Sequence, residues 1–218
     1  MNTTAQDRSY SRIAAALAGA DSSSRLRAAL AAGTQPDPRL VETLVARCAV
    51  EPDFFVRDML TWALCRLPAD VTVPRLLAEL RSDVPQARSQ ALHTLSKIGD
   101  RQTFASVTTL LHDGDDEVAR SAWRAAVALV PPGGEGTLAA DLATALGRGD
   151  RDMRLSLSRA LARLGEPVVP VLDAAATSPD PYVRAHAEAT AQLYRDPDSG
   201  FDDSLKAATR VANIGPRE

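Results

Sequence analysis

SPDPYVRAHA occupies residues 178–187. It reads as a turn carrying an aspartate, followed by the start of a helix. One such stretch would be a helix cap. It recurs, however, as EPDFFVRDML at 51–60 and as GRGDRDMRLS at 147–156. Recurrence at even spacing is the signature of an architecture in which one supersecondary unit is repeated.

Taking Arg184 as the register mark, comparable arginines stand at Arg57, Arg88, Arg120 and Arg154, with steps of 31, 32, 34 and 30 residues. A weaker copy, DSSSR, ends at Arg25, 32 residues before Arg57. An aspartate precedes each of the five stronger marks by four or five residues: Asp53, Asp83, Asp116, Asp150 and Asp180. Counted from each arginine, offsets three, seven and ten are mostly apolar. They give Leu60, Leu64 and Leu67, then Ala91, Leu95 and Ile98, then Trp123, Val127 and Val130. Leu157, Leu161 and Leu164 follow, and the last copy gives Ala187, Ala191 and Tyr194. That is helical spacing. A second amphipathic stretch precedes each aspartate, for example RLVETLVARCAV and VTVPRLLAELRS. Each unit is therefore helix A, a turn with aspartate, and helix B. Two helices of about 12 residues cannot bury a core alone, so the units must stack. The recurrent aspartate is expected to cap helix B, and the arginine to reach an aspartate of its own or a neighbouring turn.

The pattern DPxVR followed by A..AL..LG resembles the HEAT-repeat family, in particular the short variety found in phycobilisome lyases. The resemblance runs from about residue 21 to 195. It implies an all-α fold, a right-handed α-solenoid of about six HEAT-like helix-pair repeats, with the B helices lining a concave side. Copy one departs from the pattern because helix B stops early at Gly33, and copy three because its turn is one residue longer. Residues 1–195 form the repeat region, with an N-terminal cap or first A helix over about 1–20. Residues 196–218 read as a linker followed by a capping helix, or else as an acidic tail able to lie in the protein's own groove.

Composition limits the function. Hydrophobic residues make up 45%, aromatics only 4%, and the formal charge is −3. A duplex-binding domain carries a basic excess, so nucleic acid is not the expected partner. Two cysteines, Cys48 and Cys65, make neither a disulfide framework nor a metal motif, and a reduced, cytoplasmic setting is expected. No apolar run approaches the roughly 20 residues of a membrane span. The histidines, His93, His112 and His186, have no metal-ligand spacing, and PPGGEG at 131–136 lacks the preceding strand that a phosphate loop requires. No metal, cofactor or catalytic residue is expected.

The positions where copies disagree point to a ligand. Offsets one, five and nine form a second ridge on helix B. It carries Asp58, Trp62 and Arg66 in copy two, and Ser89, His93 and Lys97 in copy three. Copy four supplies Ser121 and, one position off the ridge, Arg124. Copy five supplies Arg159 and Arg163. Asp58, Trp62, Arg66, His93, Lys97, Arg124, Arg159 and Arg163 are the candidate partner-binding set. They would draw in an acidic protein or peptide by charge complementarity, with Trp62 as an anchor. Trp123 falls on a core offset and is expected to be structural. Two alternatives remain. The chain also resembles bacterial DNA alkylpurine glycosylases built from HEAT-like repeats, which implies Asp58 as cation stabiliser with Trp62 and Trp123 stacking. A solenoid that sequesters a small molecule between its B helices is the other.

Overall fold

The computed structural model describes residues 2–197 and Thr209. Beyond Pro197, the expected capping helix or tail lies outside these residues. The described part holds α-helices and short 3-10 turns and no strand. The chain divides into two compact units, Met1–Leu110 and Leu111–Glu218. The first contains α1 (Asn2–Leu17), α2 (Ser22–Thr34), α3 (Val41–Cys48), α4 (Phe54–Leu64), α5 (Ala69–Glu79), α6 (Pro85–Ile98) and α7 (Phe104–Thr108). The second contains α8 (Asp116–Leu129), α9 (Glu135–Ala143), α10 (Arg151–Ala162), α11 (Val169–Ala175) and α12 (Pro181–Arg195). In chain order these are six A–B pairs, and α1 is helix A of the first.

Within each unit the helices form two layers. In the first, the B helices pack in series, α2 on α4 and α4 on α6, and the A helices do the same, α1 on α3 and α3 on α5. In the second, α8 packs on α10 and α10 on α12, with α9 on α11 behind them. This is solenoid packing, and its core takes in most of the expected positions, while Ile98, Val127, Val130, Ala191 and Tyr194 are only half-buried. Leu60, Leu64, Leu67, Ala91, Leu95, Leu157, Leu161, Leu164 and Ala187 are all buried. Alanine lets the helices approach closely, and Ala122, Ala125 and Ala126 of α8 are wholly inaccessible.

The caps explain where the B helices start, and they correct the register in two copies. Asp21, Asp53, Asp115, Asp150 and Asp180 each accept a backbone N–H of the first turn. Asp83 and Asp116 do not cap. Helix α6 begins after Val84 with Pro85 at its first position, where proline's missing N–H costs nothing. In copy four the cap is Asp115, five residues before Arg120 rather than four. The extra residue thus belongs to copy four and not to copy three. Position four after that cap is Ala119. Counted from it, offsets three, seven and ten are Ala122, Ala126 and Leu129, all fully buried, whereas Val127 and Val130 are only half-buried. Trp123 is buried as expected, and its indole N–H donates to the Leu111 carbonyl at 2.9 Å. Helix α2 also runs to Thr34, one residue past the break expected at Gly33.

The recurrent arginine acts on its own turn more than on a neighbour's aspartate. Arg57 donates to the carbonyls of Glu51 and Pro52, Arg184 to those of Ser178 and Pro179, and Arg25 to those of Gly19 and Ala20. Arg88 and Arg154 make one bond of this kind each, to Ser82 and Gly149. The fork thereby satisfies carbonyls left without partners by the A–B turn.

Each unit also encloses a polar network that the periodicity does not announce. In the first, the Glu51 carboxylate is fully buried. It accepts from Arg25 Nε at 2.6 Å and Nη2 at 2.8 Å, from Arg47 Nε at 2.8 Å, and from the Asp53 amide at 3.0 Å. Burial alone would raise its pKa. The Arg25, Asp53 and Arg47 donors outweigh that and hold it at about 2. In the second, His186 is fully buried. Its Nδ1 accepts from the Gly147 amide at 3.0 Å, so Nε2 carries the proton, facing the Arg154 carbonyl and Ser158 Oγ, each at 3.0 Å. Burial lowers its pKa to about 4, which keeps it neutral.

Candidate partner-binding cleft

The candidate residues all lie on B helices, where the ridge argument puts them. Asp58, Trp62 and Arg66 belong to α4 and its C-terminal end, and His93 and Lys97 to α6, in the first unit. Arg124 on α8 and Arg159 on α10, with Arg163 at its end, belong to the second. All are exposed except His93, which is half-buried. Five of them thus belong to the first unit and three to the second.

In the first unit, Trp62 and Arg66 make structural contacts. Trp62, 37% exposed, lies flat against Gly33 of α2. A Cβ built on Gly33 would come within 2.1 Å of the indole, so glycine is what lets the ring sit there. Arg66 donates from Nε to the Gly33 carbonyl at 2.8 Å and stacks over the Trp62 ring, 5.5 Å from its centroid. Trp62 and Arg66 thus hold α2 to α4, while Asp58 and Lys97 project to solvent.

In the second unit, Arg124, Arg159 and Arg163 line a single cleft of about 810 Å³ along α8, α10 and α12. Its wall also contains Arg120, Glu117 and Asp152, with Val127, Leu155, Leu193 and Tyr194 as the main apolar side chains. The volume lies within the usual range for ligand sites, about 300–1,000 Å³. Arg124 is held by bonds from Nε to the Arg120 carbonyl at 3.2 Å and from Nη2 to Glu117 and Ser121, both at 3.3 Å. The Arg163 amide donates to the Arg159 carbonyl at 3.2 Å, but the guanidinium groups of Arg159 and Arg163 form no hydrogen bond or ion pair with any described residue. Four guanidinium groups against two carboxylates leave the cleft with a net charge of +2.

Sequence reasoning missed Arg120 because it served as the register mark of its copy. It also assigned Val127 and Tyr194 to the core, whereas both reach the cleft. The cap supplies the missing signal. Once α8 is counted from Asp115, Arg120 and Arg124 fall on offsets one and five, the same ridge as Leu155, Arg159 and Arg163 in the next copy. His186, on α12, is enclosed in the core. Trp123, invoked for base stacking in the glycosylase alternative, is inaccessible and cannot stack on a base.

The chain is similar to a family model and to several solved structures. Residues 51–128 match the family model of HEAT repeats. Among solved structures, an engineered protein has 17% identity to the chain, covering 84% of it and 97% of its own length at a TM-score of 0.44. A second engineered protein has 20% identity over 90% and 96% at 0.43. A designed armadillo repeat protein has 14% identity over 84% and 98% at 0.41. No curated protein matches. The HEAT match begins at Glu51 and ends within α8, so it includes Arg120 and Arg124 but not Arg159 and Arg163. Among the described residues, no group of three or more His, Cys, Asp or Glu side chains forms a potential metal site, and no helix is long and apolar enough to cross a membrane.

Proposed function

We propose that this HEAT-repeat protein acts by binding, holding an acidic segment of a partner protein in the cleft of its second unit without transforming it. The observation that supports this reading is the convergence of Arg124, Arg159 and Arg163 on one cleft, beside Leu155, Leu193 and Tyr194. The guanidinium groups of Arg159 and Arg163 have no partner among the described residues. A cation left unpaired beside an apolar wall suits a ligand that supplies both charge and apolar surface. A cytoplasmic setting is part of the proposal and agrees with two free cysteines, of which Cys48 is buried with its thiol pushed up to about 12.

The test is fluorescence anisotropy with a fluorescein-labelled peptide of alternating glutamate and leucine. Binding should weaken as salt rises, and Arg124→Glu with Arg159→Glu should reduce affinity by about tenfold or more. Unchanged affinity in the double variant would sink the cleft as the binding site. The glycosylase alternative keeps Asp58 and Trp62 on one helix but has lost Trp123. Release of damaged bases from methylated DNA, abolished by Asp58→Asn, would revive it.

A further inference from the structure

We infer that Arg120 is a ligand-binding cation of this cleft, and that its four arginines are built to take a doubly charged group, a phosphorylated side chain of a partner protein. The inference rests on the cleft being the binding site, and it adds a residue and a ligand chemistry.

The first observation is a one-residue slip. In five copies, the residue four after the one that caps helix B is the arginine that donates back to its own turn. In copy four that position is Ala119, which is fully buried, and the arginine comes one residue later. One residue is about 100° of helix. Arg120 is therefore turned off the clamp position and onto the ridge that lines the cleft. The turn it leaves is not abandoned. The Asp113 carbonyl, six residues before Ala119, is where a clamp would bond, and it accepts from Arg148 Nη2 at 2.8 Å. Arg148 also pairs with Asp116 at 2.9 Å. The structural task has passed to Arg148, which frees Arg120 for another.

The second observation is that Arg120 is incompletely partnered. Its Nη2 pairs with Glu117, but its Nε is buried and makes no hydrogen bond with any described residue. A buried N–H without an acceptor is costly, and the residue that carries it lines the cleft. The third observation is charge. Glu117 already engages Arg120 and Arg124, as a single carboxylate can, and yet the guanidinium groups of Arg159 and Arg163 have no partner among the described residues. With Glu117 and Asp152 counted, the excess is two positive charges. A phosphorylated serine, threonine or tyrosine carries about −1.5 to −2 at pH 7 on three acceptor oxygens. It matches that excess in one residue, where a carboxylate ligand would need two. Planar arginine forks are the usual partners of such a group.

The experiment uses the full chain and three fluorescein-labelled peptides, identical except at their serines. One carries a single phosphoserine, one has two glutamates to equal its charge, and one is unmodified. Anisotropy should show the phosphopeptide binding about tenfold more tightly than the glutamate peptide, with the unmodified peptide weakest. Arg120→Ala should remove most of that advantage and Arg120→Lys should restore it only in part, since lysine keeps the charge but not the planar fork. Arg101→Ala, which deletes an exposed cation of the first unit, should leave it intact. Thermal melting checks that each variant is folded. Equal affinity for the phosphopeptide and the glutamate peptide, or an advantage that survives Arg120→Ala, overturns the inference and leaves the acidic-segment reading standing. Failure of both charged peptides to bind overturns the two together.

Discussion

Replacing Glu51 by glutamine should destabilise the first unit by about 2–3 kcal/mol at neutral pH, and the loss should fade in acid. The carboxylate is fully buried and accepts four hydrogen bonds, three of them from guanidinium groups. Its pKa falls from 4.5 to about 2 on folding. At about 1.4 kcal/mol for each pH unit, that shift corresponds to at most about 3 kcal/mol. Arg47 is partly in water, which screens its share and brings the figure toward 2 kcal/mol. Alanine should cost more, about 3–5 kcal/mol, because it leaves the buried Arg25 charge facing an empty site. The sign follows from the depressed pKa. The contribution is complete above pH 4.5 and is lost as pH falls toward 2. Urea titration at pH 7 should therefore move the midpoint of the first unit down by about 1 M for an m-value near 2 kcal/mol/M. At pH 3, where the unfolded chain is protonated and the folded carboxylate is not, less than half the difference should remain. A loss below about 0.5 kcal/mol at pH 7, or one equally large at pH 3, would refute the assignment of Glu51 as an ionised structural hub.

Other substitutions test separate parts of the reasoning. Gly33→Ala should push the Trp62 indole off α2 and cost about 1–3 kcal/mol, seen as red-shifted emission with greater acrylamide quenching; an unchanged spectrum would mean the ring does not need the glycine. Asp53→Ala removes the acceptor for the Phe55 and Val56 amides and should cost about 0.5–2 kcal/mol by urea melting, whereas Asp83→Ala, at a position that caps nothing, should cost no more than a few tenths. Arg148→Ala should destabilise the second unit by about 1–2 kcal/mol through the freed Asp113 carbonyl, with a thermal melt as the check.

The fold was legible because repetition averages out local ambiguity. Any one copy of Leu-x-x-x-Leu is a weak helix signal, but Leu60, Leu64, Leu157 and Leu161 at matching offsets are strong evidence together. What escaped was of two kinds. One is a register error that periodicity cannot see. With Asp115 and Asp116 adjacent, only the hydrogen bonds to Glu117 and Val118 show which of them caps, and a single residue decides whether Arg120 faces the turn or the cleft. The other is pairing across copies. Glu51 bonds to Arg25, 26 residues earlier, and His186 to Gly147, 39 residues earlier. Neither pair lies at a helical spacing. A faint signal existed, since the position six before the clamp is Gly19, Glu51, Ser82, Asp113, Arg148 and Ser178 in successive copies. Both Glu51 and Arg148 depart from the small residues there, and each contributes the long-range contact. The cleft was half legible: the ridge rule found Arg124, Arg159 and Arg163, but it also selected Trp62 and Arg66, whose contacts tie α2 to α4.

These long-range pairs also give each unit its own response to acid. His186 is neutral in the fold, with a pKa lowered by burial from 6.5 to about 4. The unfolded chain therefore binds a proton more readily as pH falls through 6.5, and the stability of the second unit should decline from there until about pH 4. By pH 5 the loss is about 2 kcal/mol. Glu51 loses little above pH 4.5, because its own window runs from there down to about 2. The two tryptophans separate the responses, Trp62 reporting on the first unit and Trp123 on the second. In Trp62→Phe, urea midpoints followed by Trp123 emission should fall between pH 6.5 and 4.5, and a further His186→Asn substitution should flatten that slope even if it lowers every midpoint. In Trp123→Phe, midpoints followed by Trp62 emission should hold down to about pH 4.5. A slope that persisted without His186 would show that another group titrates with the fold. A Trp62 signal that fell in the upper window would show that the first unit's acid sensitivity does not reside in Glu51.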